Sequence, residues 1–545
     1  MKEIFKEQFT FRAVIIGCAG CVVLTMSSLY VALKLGALPW PIVFTALVSM
    51  FFLKLLKRGN TGEINVTHTI MSAGAMTAGA LAFTIPGIFI LNPAAHVNIL
   101  PLLIVTLGGV VLGLIFTALI REYFIEIKPL PYPMGQAAAD TVIAGDAGGR
   151  KSKILFSSCG LAGIFTFLRD GLAVFSGKTI FPAALLSSKM SEWGSITGIW
   201  LSPMLVSIGY IIGPVFIGIW FLGAILGDFG ILVASVKLDF FDGATAQKIK
   251  SSLGIGLMIG TGVGIILRGI LPQLKRIKLP VFEKTVHTKK IISLRPASLA
   301  LVLIAVAFVY ICDIAVIPSL IIIAGTALTT IIAAQLVGQS GINPMEIFGI
   351  VIMLAVKAIY PAGEVAAFFT AAIIAIATGL TGDVMNDFKA GAIMNTSPKA
   401  QWLGECVGGL LGAFVALGMF FIVLKAYGAS AFGNHEFFPA PQASAVAAMV
   451  GGIPHVESFW LGLILGAVLY TAGLPVMTLG LGVYLPFYLS ATAFLGVVLR
   501  LAAEKIAPNW SKKEDGMIIA SGCLGGEAVV GVILALIQAF RGIFA

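Results

Sequence analysis

The amino-acid sequence predicts an all-α integral membrane protein with about sixteen membrane-spanning helices. Hydrophobic residues make up 59% of the 545 residues, charged residues make up only 11%, and the mean hydropathy is +1.03. Soluble domains carry about 25% charged residues. Because the polar stretches are short, we expect no sizeable water-exposed domain.

The positive charge of the chain fits a membrane protein better than a nucleic-acid-binding protein. Lys and Arg number 35 against 25 Asp and Glu, a formal net charge of +10. The cations sit mostly in short loops between apolar runs, where such residues set topology and contact anionic lipid headgroups. We therefore expect membrane lipids as partners and no nucleic acid.

Hydropathy divides the chain into two sets of predicted spans. A span needs about 20 mainly apolar residues. Eight such segments lie within residues 1–271 and eight within 297–545, on either side of a basic stretch at 272–296. The predicted spans include 196–212, 364–382 and 477–501.

The two halves resemble each other, which indicates an internal duplication. The apolar profile of 12–56 matches that of 298–337, and the polar stretch at 59–63 is echoed at 341–346. An even number of spans per repeat gives both repeats the same orientation in the membrane. We expect an N-terminal repeat at 1–271, a cytoplasmic linker at 272–296 and a C-terminal repeat at 297–545.

Short polar segments interrupt the apolar chain. One at 129–146 contains Pro129, Pro131, Pro133 and Asp140, and another lies at 380–389. A Pro/Ala-rich stretch at 439–443 echoes the first, so we expect re-entrant or broken segments near 130–147 and 440–453. Gly/Pro-interrupted segments in corresponding parts of two halves point to the binding site of a transporter.

The distribution of Lys and Arg predicts that both termini are cytoplasmic. The basic loops then fall inside only if 129–146 leaves and re-enters the membrane on one side, as a re-entrant hairpin or a surface helix. One group of cations fits badly, because it would lie outside: Arg500, Lys505, Lys512 and Lys513.

Several motifs resemble those of the oligopeptide transporter family, which includes the plant yellow-stripe-like metal-chelate transporters. The matching residues are Leu130-Pro131-Tyr132-Pro133 with Gly135 and Ala137, Asp383 and Met385 with Asp387-Phe388-Lys389 and Ser397-Pro398, Ser202-Pro203 with Gly209-Tyr210, Pro439-Ala440-Pro441-Gln442-Ala443, and Gly482-Val483-Tyr484-Leu485-Pro486. They cover nearly the whole chain in the family's order.

The resemblance implies a transporter that carries peptides or metal–peptide-like chelates, generally driven by protons. Met134 stands where many members carry an acidic residue, so this position cannot bind a proton or cation here. The first span lacks, at 27–30, the Asn-Pro-Gly element of the peptide-transporting branch. The chain is therefore more similar to the yellow-stripe-like and prokaryotic branches.

Ionisable residues inside apolar spans are candidates for function, because a charge at the bilayer centre costs several kcal/mol. Arg169 and Asp170 are adjacent and should point about 100° apart on a helix, so we expect each to pair elsewhere, with Arg169 also a candidate fork for a substrate carboxylate. Asp140 is a candidate for a substrate amine or a proton, with a structural role in the hairpin as the alternative.

Two carboxylates one helical turn apart, Asp383 and Asp387, should share a face and repel, which favours proton uptake. A solvated helix end with Lys389 is the alternative. Further binding or coupling candidates lie on glycine-rich faces, at the start of a span or near the motifs: Glu405, Glu527, Glu63, His68, Tyr132, Tyr210 and Tyr484.

The remaining patterns exclude other mechanisms. The His and Cys residues show no metal-ligand spacing, so we expect no metal held by the protein and no cofactor. There is no Walker-type loop for ATP and no compact nucleophile–base group for an enzyme.

The sequence thus predicts a multi-pass transporter of the cell (plasma or inner) membrane that imports small peptides with protons by alternating access. Uptake of metal chelates, such as siderophore- or nicotianamine-like complexes, is the alternative within transport; a channel or an intramembrane enzyme is the alternative outside it. A homodimer is left open.

Overall fold

The computed structural model describes residues 2–35, 42–56, 59–127, 129–144, 148–172, 182, 184–195, 197–265, 267–268, 291–292, 294–340, 343–361, 363–434, 437–451, 453–506 and 515–544. Within these ranges the protein is almost entirely helical, which confirms the predicted fold class. Ten helices are long and apolar enough to cross a membrane, and three shorter apolar helices accompany them in the described chain. The total of about sixteen spans stays a prediction.

The first half of the chain forms twelve helices within the described residues: α1 (Lys2–Gln8), α2 (Phe11–Leu35), α3 (Ile42–Leu55), α4 (Thr61–Ala82), α5 (Pro86–Leu91), α6 (Ile99–Glu122), α7 (Pro133–Ala144), α8 (Gly148–Thr166), α9 (Pro203–Ile212), α10 (Pro214–Ala224), α11 (Ala234–Lys237) and α12 (Gly243–Ile265). π-helical turns continue α6, α8 and α10 through Tyr123–Ile127, Phe167–Gly171 and Ile225–Val233. Two short strands, β1 (Ala184–Ser187) and β2 (Thr197–Trp200), pair antiparallel.

The second half continues the helical pattern. Its helices are α13 (Leu294–Tyr310), α14 (Val316–Ser340), α15 (Met345–Ile359), α16 (Glu364–Ile393), α17 (Pro398–Tyr427), α18 (Pro441–Gly451), α19 (Val456–Thr471), α20 (Val476–Tyr484), α21 (Phe487–Ile506) and α22 (Asp515–Phe544).

The chain divides into two compact units, each of which contains parts of both halves. Unit 1 comprises Met1–Leu33, Trp40–Ser152 and Arg276–Lys425, and unit 2 comprises Lys34–Pro39, Lys153–Lys275 and Ala426–Ala545. Each half therefore contributes its first part to unit 1 and its second part to unit 2. This interleaving is what a duplication of the chain would produce; the repeat boundaries themselves stay a prediction.

Two predicted spans are interrupted. The segment 196–212 contains the strand Thr197–Trp200 and then the short helix α9, which begins at Pro203 with Ser202 as its N-cap. The segment 477–501 ends one helix at Tyr484 and begins the next at Phe487. Pro486 lies at that break, where its missing N–H leaves no helical hydrogen bond to lose.

The expected interruption at 380–389 is wrong. These residues lie inside α16, a continuous helix of 30 residues from Glu364 to Ile393. The polar residues of this segment predicted a break in the helix. In the structure they are buried against other helices of unit 1. The predicted span 364–382 therefore extends a further three turns.

Two of the short helices that begin at a proline, one in each unit, share an unusual backbone at their start. In unit 1, α7 begins at Pro133, and in unit 2, α18 begins at Pro441. The residue before each proline has a left-handed backbone, with φ of +44° at Tyr132 and +41° at Ala440. At 1.5 Å per residue, helices of 12 and 11 residues are too short for a hydrocarbon core of about 30 Å.

Glycine contacts bring α4 and α17 together in unit 1. A Cβ on Gly412 would lie 2.3 Å from the Cα of Gly74, and one on Gly408 would lie 2.2 Å from the backbone oxygen of Ile70. Only a residue without a side chain permits such an approach, as in other membrane helix pairs. The glycine-rich face that carries Glu405 is thereby pressed against the helix that carries His68.

Candidate functional site

Three buried carboxyl groups meet inside unit 1. Asp383 and Asp387 lie one turn apart on α16, and Glu405 comes from α17. One carboxyl oxygen of each lies within 4.8 Å of the others. Asp387 and Glu405 are completely buried and Asp383 is 8% exposed, so the solvated helix end that the sequence offered as an alternative is wrong. We call Asp383, Asp387 and Glu405 the carboxyl cluster.

A histidine of α4 completes the site. Nε2 of His68 lies 3.0 Å from Oδ1 of Asp387, while Nδ1 of the same ring lies 2.5 Å from the Thr45 hydroxyl. The Ser72 hydroxyl, one turn further along α4, donates to the other oxygen of Asp387 at 2.8 Å. Two residues of α4 thus contact the two side-chain oxygens of Asp387. The Thr45 hydroxyl, from α3, holds the orientation of the His68 ring.

Glu405 lacks such support. Among the residues that the structure describes, none donates a hydrogen bond to either carboxyl oxygen of Glu405. The same is true of Oδ2 of Asp383. An ionised carboxylate without a donor in a buried site costs several kcal/mol. Three carboxylates this close also repel one another. A protonated Glu405, by contrast, can donate to a neighbouring carboxylate, so the geometry suits a site that is filled and emptied by protons.

The cluster also has the chemistry of a hard-cation site. Carboxylate oxygens are the ligands that such cations prefer. The expectation of no protein-held metal came from the spacing of His and Cys, and it does not address three carboxylates that the fold brings together from two helices.

The predicted re-entrant segment packs on the helix that carries the two aspartates. The backbone N–H of Gly135, in α7, donates to Oδ1 of Asn386 at 3.0 Å. The Lys389 ammonium donates to the backbone oxygen of Leu130 at 2.9 Å. A Cβ on Gly135 would lie 2.2 Å from the backbone oxygen of Asn386, so the glycine of the motif permits this approach.

Tyr132 anchors the beginning of that segment. Its side chain is buried, and its hydroxyl donates to the backbone oxygen of Ala334 at 2.9 Å. Its backbone N–H donates to the backbone oxygen of Gly338, also at 2.9 Å. Both partners belong to α14. The left-handed φ of Tyr132 is a strained conformation for a bulky residue, and these two bonds hold it. The side chain of Asp140 lies outside the described residues.

A second group of buried charges lies in unit 2. The Arg169 guanidinium donates to both oxygens of Asp170, at 2.8 and 2.5 Å, to Oε1 of Glu527 at 3.0 Å and to the backbone oxygen of Leu201. Glu527 also accepts from the Ser202 hydroxyl at 2.9 Å and from the N–H of Met204 at 2.7 Å.

This geometry corrects the expectation that Arg169 and Asp170 cannot neutralise each other. The two residues lie in the π-helical turn Phe167–Gly171, where the regular angle of about 100° between neighbours does not hold. The long arginine side chain curls back and pairs bidentately with the adjacent carboxylate. Both carboxylates bind the guanidinium, so Arg169 forms an internal ion pair with Asp170 and Glu527 in this conformation.

The remaining candidates are distributed over both units. Glu63 accepts from Arg12 at 2.6 Å through both of its oxygens and so belongs to a helix-end ion pair, away from His68 on the same helix. Tyr484 donates to the Ser444 hydroxyl at 2.9 Å in unit 2, beside the start of α18. Tyr210 lines an apolar groove in unit 2.

Sequence reasoning missed several polar residues. Ser72 and Thr45 gave no signal, because hydroxyl residues are common in membrane helices. Asp228, inside an apolar span, did carry the signal of a buried charge, and it pairs with Lys250 at 2.9 Å in unit 2. Lys34 gave no such signal in the sequence. In the structure its ammonium lies 4.7 Å from the ring centre of Trp200, which is a cation–π contact.

Comparison with known proteins bears on the whole chain. The family model described as OPT oligopeptide transporter protein matches residues 8–538. A protein of Haemophilus influenzae named "Putative oligopeptide transporter" is 26% identical, over 94% of this chain and 92% of its own length.

Proposed function

The chain belongs to the oligopeptide transporter family, and from that premise we propose that it imports small peptides together with protons by alternating access. It is a multi-pass membrane transporter and not an enzyme. A single observation carries the coupling part of the proposal: three buried carboxyl groups and a histidine meet inside unit 1, next to the segment with the family's Leu-Pro-Tyr-Pro motif.

Proton coupling is supported by the charges around the cluster. Facing one another are Asp383 and Asp387 from α16, Glu405 from α17 and His68 from α4. If His68 carries its proton, it offsets one of the three carboxylates. Protons on the other two would make the group neutral. Release of these protons leaves uncompensated charge in a buried site, which favours a different conformation of the helices around it.

The docking of the re-entrant segment supplies a route from the cluster to the substrate. Asn386, which holds Gly135, lies on α16 directly before Asp387, and Lys389, which holds Leu130, lies two residues after it. A shift of this turn of α16 on protonation would therefore move the anchor points of the segment. We propose that the segment changes position with the protonation of the cluster, and that this links proton entry to peptide movement.

Recognition of a peptide requires partners for both of its charged ends. A zwitterionic substrate needs a carboxylate near its amine and a cation or a helix N-terminus near its carboxylate. We propose Asp140 for the amine. The N-terminus of α9 is unsuited to the carboxylate in this conformation, because Glu527 already accepts from the N–H of Met204 there.

We propose that the transporter lies in the cell membrane with both termini in the cytoplasm, as the distribution of Lys and Arg suggests. The repeat organisation supports alternating access, since each unit draws on both halves of the chain. In such transporters the repeats move about a site near the bilayer midplane.

Uptake into proteoliposomes tests the proposal. The purified chain is reconstituted, a pH gradient that is acidic outside is imposed, and accumulation of a labelled pool of tri- to hexapeptides is followed. Saturable accumulation that stops when a protonophore collapses the gradient is the expected result. Uptake of a siderophore or nicotianamine–metal complex without competition from peptides would contradict it in favour of chelate transport. Normal coupled uptake by Asp140→Asn would exclude a role for Asp140.

A further inference from the structure

Several buried oxygen atoms of unit 1, at or beside the carboxyl cluster, have no hydrogen-bond partner among the residues that the structure describes. Three of them belong to the cluster, namely both carboxyl oxygens of Glu405 and Oδ2 of Asp383. A fourth is the hydroxyl oxygen of Thr69, which follows His68 on α4 and is completely buried. Buried polar atoms in proteins are nearly always paired, so this group of oxygens needs an explanation.

Thr69 lies on the face of α4 that packs against α17. Its methyl carbon would lie 3.5 Å from a Cβ on Gly404, the residue directly before Glu405. The hydroxyl of Thr67, on the same helix, donates to the backbone oxygen four residues earlier at 2.9 Å, as buried threonines of helices commonly do. Thr69 makes no such bond within the described chain. Its oxygen is therefore a neutral ligand atom beside the cluster.

Protons alone do not give partners to all of these oxygens. A protonated carboxyl group has one O–H and so donates one hydrogen bond, which leaves its second oxygen as an acceptor. A hard cation instead contacts many oxygens at once, and Ca²⁺ takes six to eight. The oxygens of Asp387 can join them, since an oxygen that accepts from His68 or Ser72 still has a second lone pair.

The size and charge of the cluster suit a divalent cation. One carboxyl oxygen from each of the three acids lies within 4.8 Å of the others. Ca²⁺ binds oxygen at 2.3–2.6 Å, so ligands on opposite sides of the ion are about 5 Å apart. If His68 keeps its proton, three carboxylates and one imidazolium leave a net charge of −2. One divalent cation cancels this charge, whereas one monovalent cation leaves a buried charge uncompensated.

We propose that the carboxyl cluster binds one divalent cation of the size of Ca²⁺. Asp383, Asp387 and Glu405 are its charged ligands, Thr69 supplies a neutral oxygen, and His68 stays paired with Asp387 outside the coordination shell. The binding itself does not depend on peptide transport. One consequence does rest on the proposed function: a cation held by these oxygens excludes the coupling protons, so it should stop proton-coupled uptake.

Isothermal titration calorimetry of the purified full chain with CaCl₂ tests this site. The chain is freed of divalent cations with a chelator and kept in detergent with about 0.15 M KCl, which screens weak binding to surface charges. Neither peptide nor a pH gradient is present. We expect one Ca²⁺ to bind per chain. Because the ion binds the folded chain, it should also raise the midpoint of thermal unfolding.

Two variants, each with a matched control, test the ligands. Glu405→Gln removes a charged ligand and should lower Ca²⁺ affinity about tenfold or more, while Glu346→Gln, a buried glutamate of α15 outside the cluster, should bind normally. Thr69→Val keeps the charge of the site and should lower affinity about fivefold. Thr67→Val is its control on the same helix and should leave the affinity unchanged.

The absence of binding by the natural chain at Ca²⁺ concentrations up to about 1 mM, the range of the weakest protein sites, would overturn the proposal. So would natural affinity in both Glu405→Gln and Thr69→Val, or an equal loss in their controls. Absence of peptide uptake by a natural chain that binds Ca²⁺ would contradict the proposed function and support the cation site alone.

Discussion

The backbone N–H of Gly135 donates a hydrogen bond to the side-chain oxygen of Asn386 at 3.0 Å, and Asn386 directly precedes the most buried aspartate of α16. The second amide atom of Asn386 donates to the backbone oxygen of Gly382 one turn earlier. One side chain thus joins the segment that contains α7 to the helix turn that carries Asp383 and Asp387. Through this side chain, we expect movement of the segment to respond to a change of charge on that turn.

Asn386→Ala should uncouple the segment from α16. The variant loses both hydrogen bonds of the side chain and leaves the N–H of Gly135 without its partner, so we expect coupled peptide uptake to fall about tenfold or more. Initial uptake rates in proteoliposomes measure this. Asn98→Ala, an exposed asparagine of unit 1 whose side chain makes no capping bond, is the control and should transport normally. Equal rates in Asn386→Ala and the control would contradict the link.

Tyr132→Phe should destabilise the protein. The change removes the hydroxyl bond to the backbone oxygen of Ala334, which keeps its helical hydrogen bond within α14, at a cost of about 1 kcal/mol. A lower midpoint of thermal unfolding in detergent is the expected observation. Tyr310→Phe is the matched control, because Tyr310 is 83% exposed. An unchanged midpoint for Tyr132→Phe would mean that the hydroxyl bond does not hold the strained turn.

The His68–Asp387 contact should show strong coupling in a double-mutant cycle. Among the described residues, His68→Ala leaves the Ser72 hydroxyl as the one side-chain donor to the Asp387 carboxylate, and it should cost about 3 kcal/mol of unfolding free energy. Adding Asp387→Asn removes the uncompensated charge, so the double variant should recover part of that loss. Thermal or denaturant unfolding in detergent measures the four proteins. Strict additivity would contradict a direct charged interaction.

Arg169→Gln should damage folding more than substrate affinity. The variant leaves Asp170 and Glu527 without their shared cation. The Arg169–Glu527 pair is buried, and breaking such a pair costs about 3–5 kcal/mol, whereas water can solvate the more exposed Asp170. We expect low yield and a lower unfolding midpoint, and that Glu527→Gln in the same chain restores part of the midpoint. A stable Arg169→Gln protein whose only defect is a raised KM for peptides would instead support the substrate-carboxylate role.

Hydropathy and charge were sufficient to predict the long spans, because membrane-length apolar runs have few alternative structures. α2 (Phe11–Leu35) and α6 (Ile99–Glu122) begin and end within one residue of the spans 11–34 and 99–121 that hydropathy predicts. The prolines also predicted re-entrant or broken segments near 130–147 and 440–453, and in the structure short helices begin there at Pro133 and Pro441. These features depend on residues that are neighbours in sequence.

The carboxyl cluster depended on packing that no local pattern contains. His68 and Asp387 are 319 positions apart, and the close approach at Gly74 and Gly412 brings α17, which carries Glu405, against the helix that carries His68. The predicted break at 380–389 failed for the same reason, because buried partners stabilise polar residues inside α16. The Arg169–Asp170 ion pair depends on a π-helical turn, and the periodicity of a regular helix does not predict such a turn.

Replacement of Glu405 is the most direct test of proton coupling. Glu405→Gln keeps the shape of the side chain and fixes it in an uncharged form, while Glu346→Gln changes another buried glutamate of unit 1, on α15 rather than in the cluster. In proteoliposomes with an acidic exterior, we expect Glu405→Gln to lose peptide accumulation about tenfold or more, yet to retain exchange of peptide without a gradient. Glu346→Gln should accumulate peptide normally. Accumulation by Glu405→Gln that responds to the pH gradient as in the natural chain would contradict a role of the carboxyl cluster in coupling.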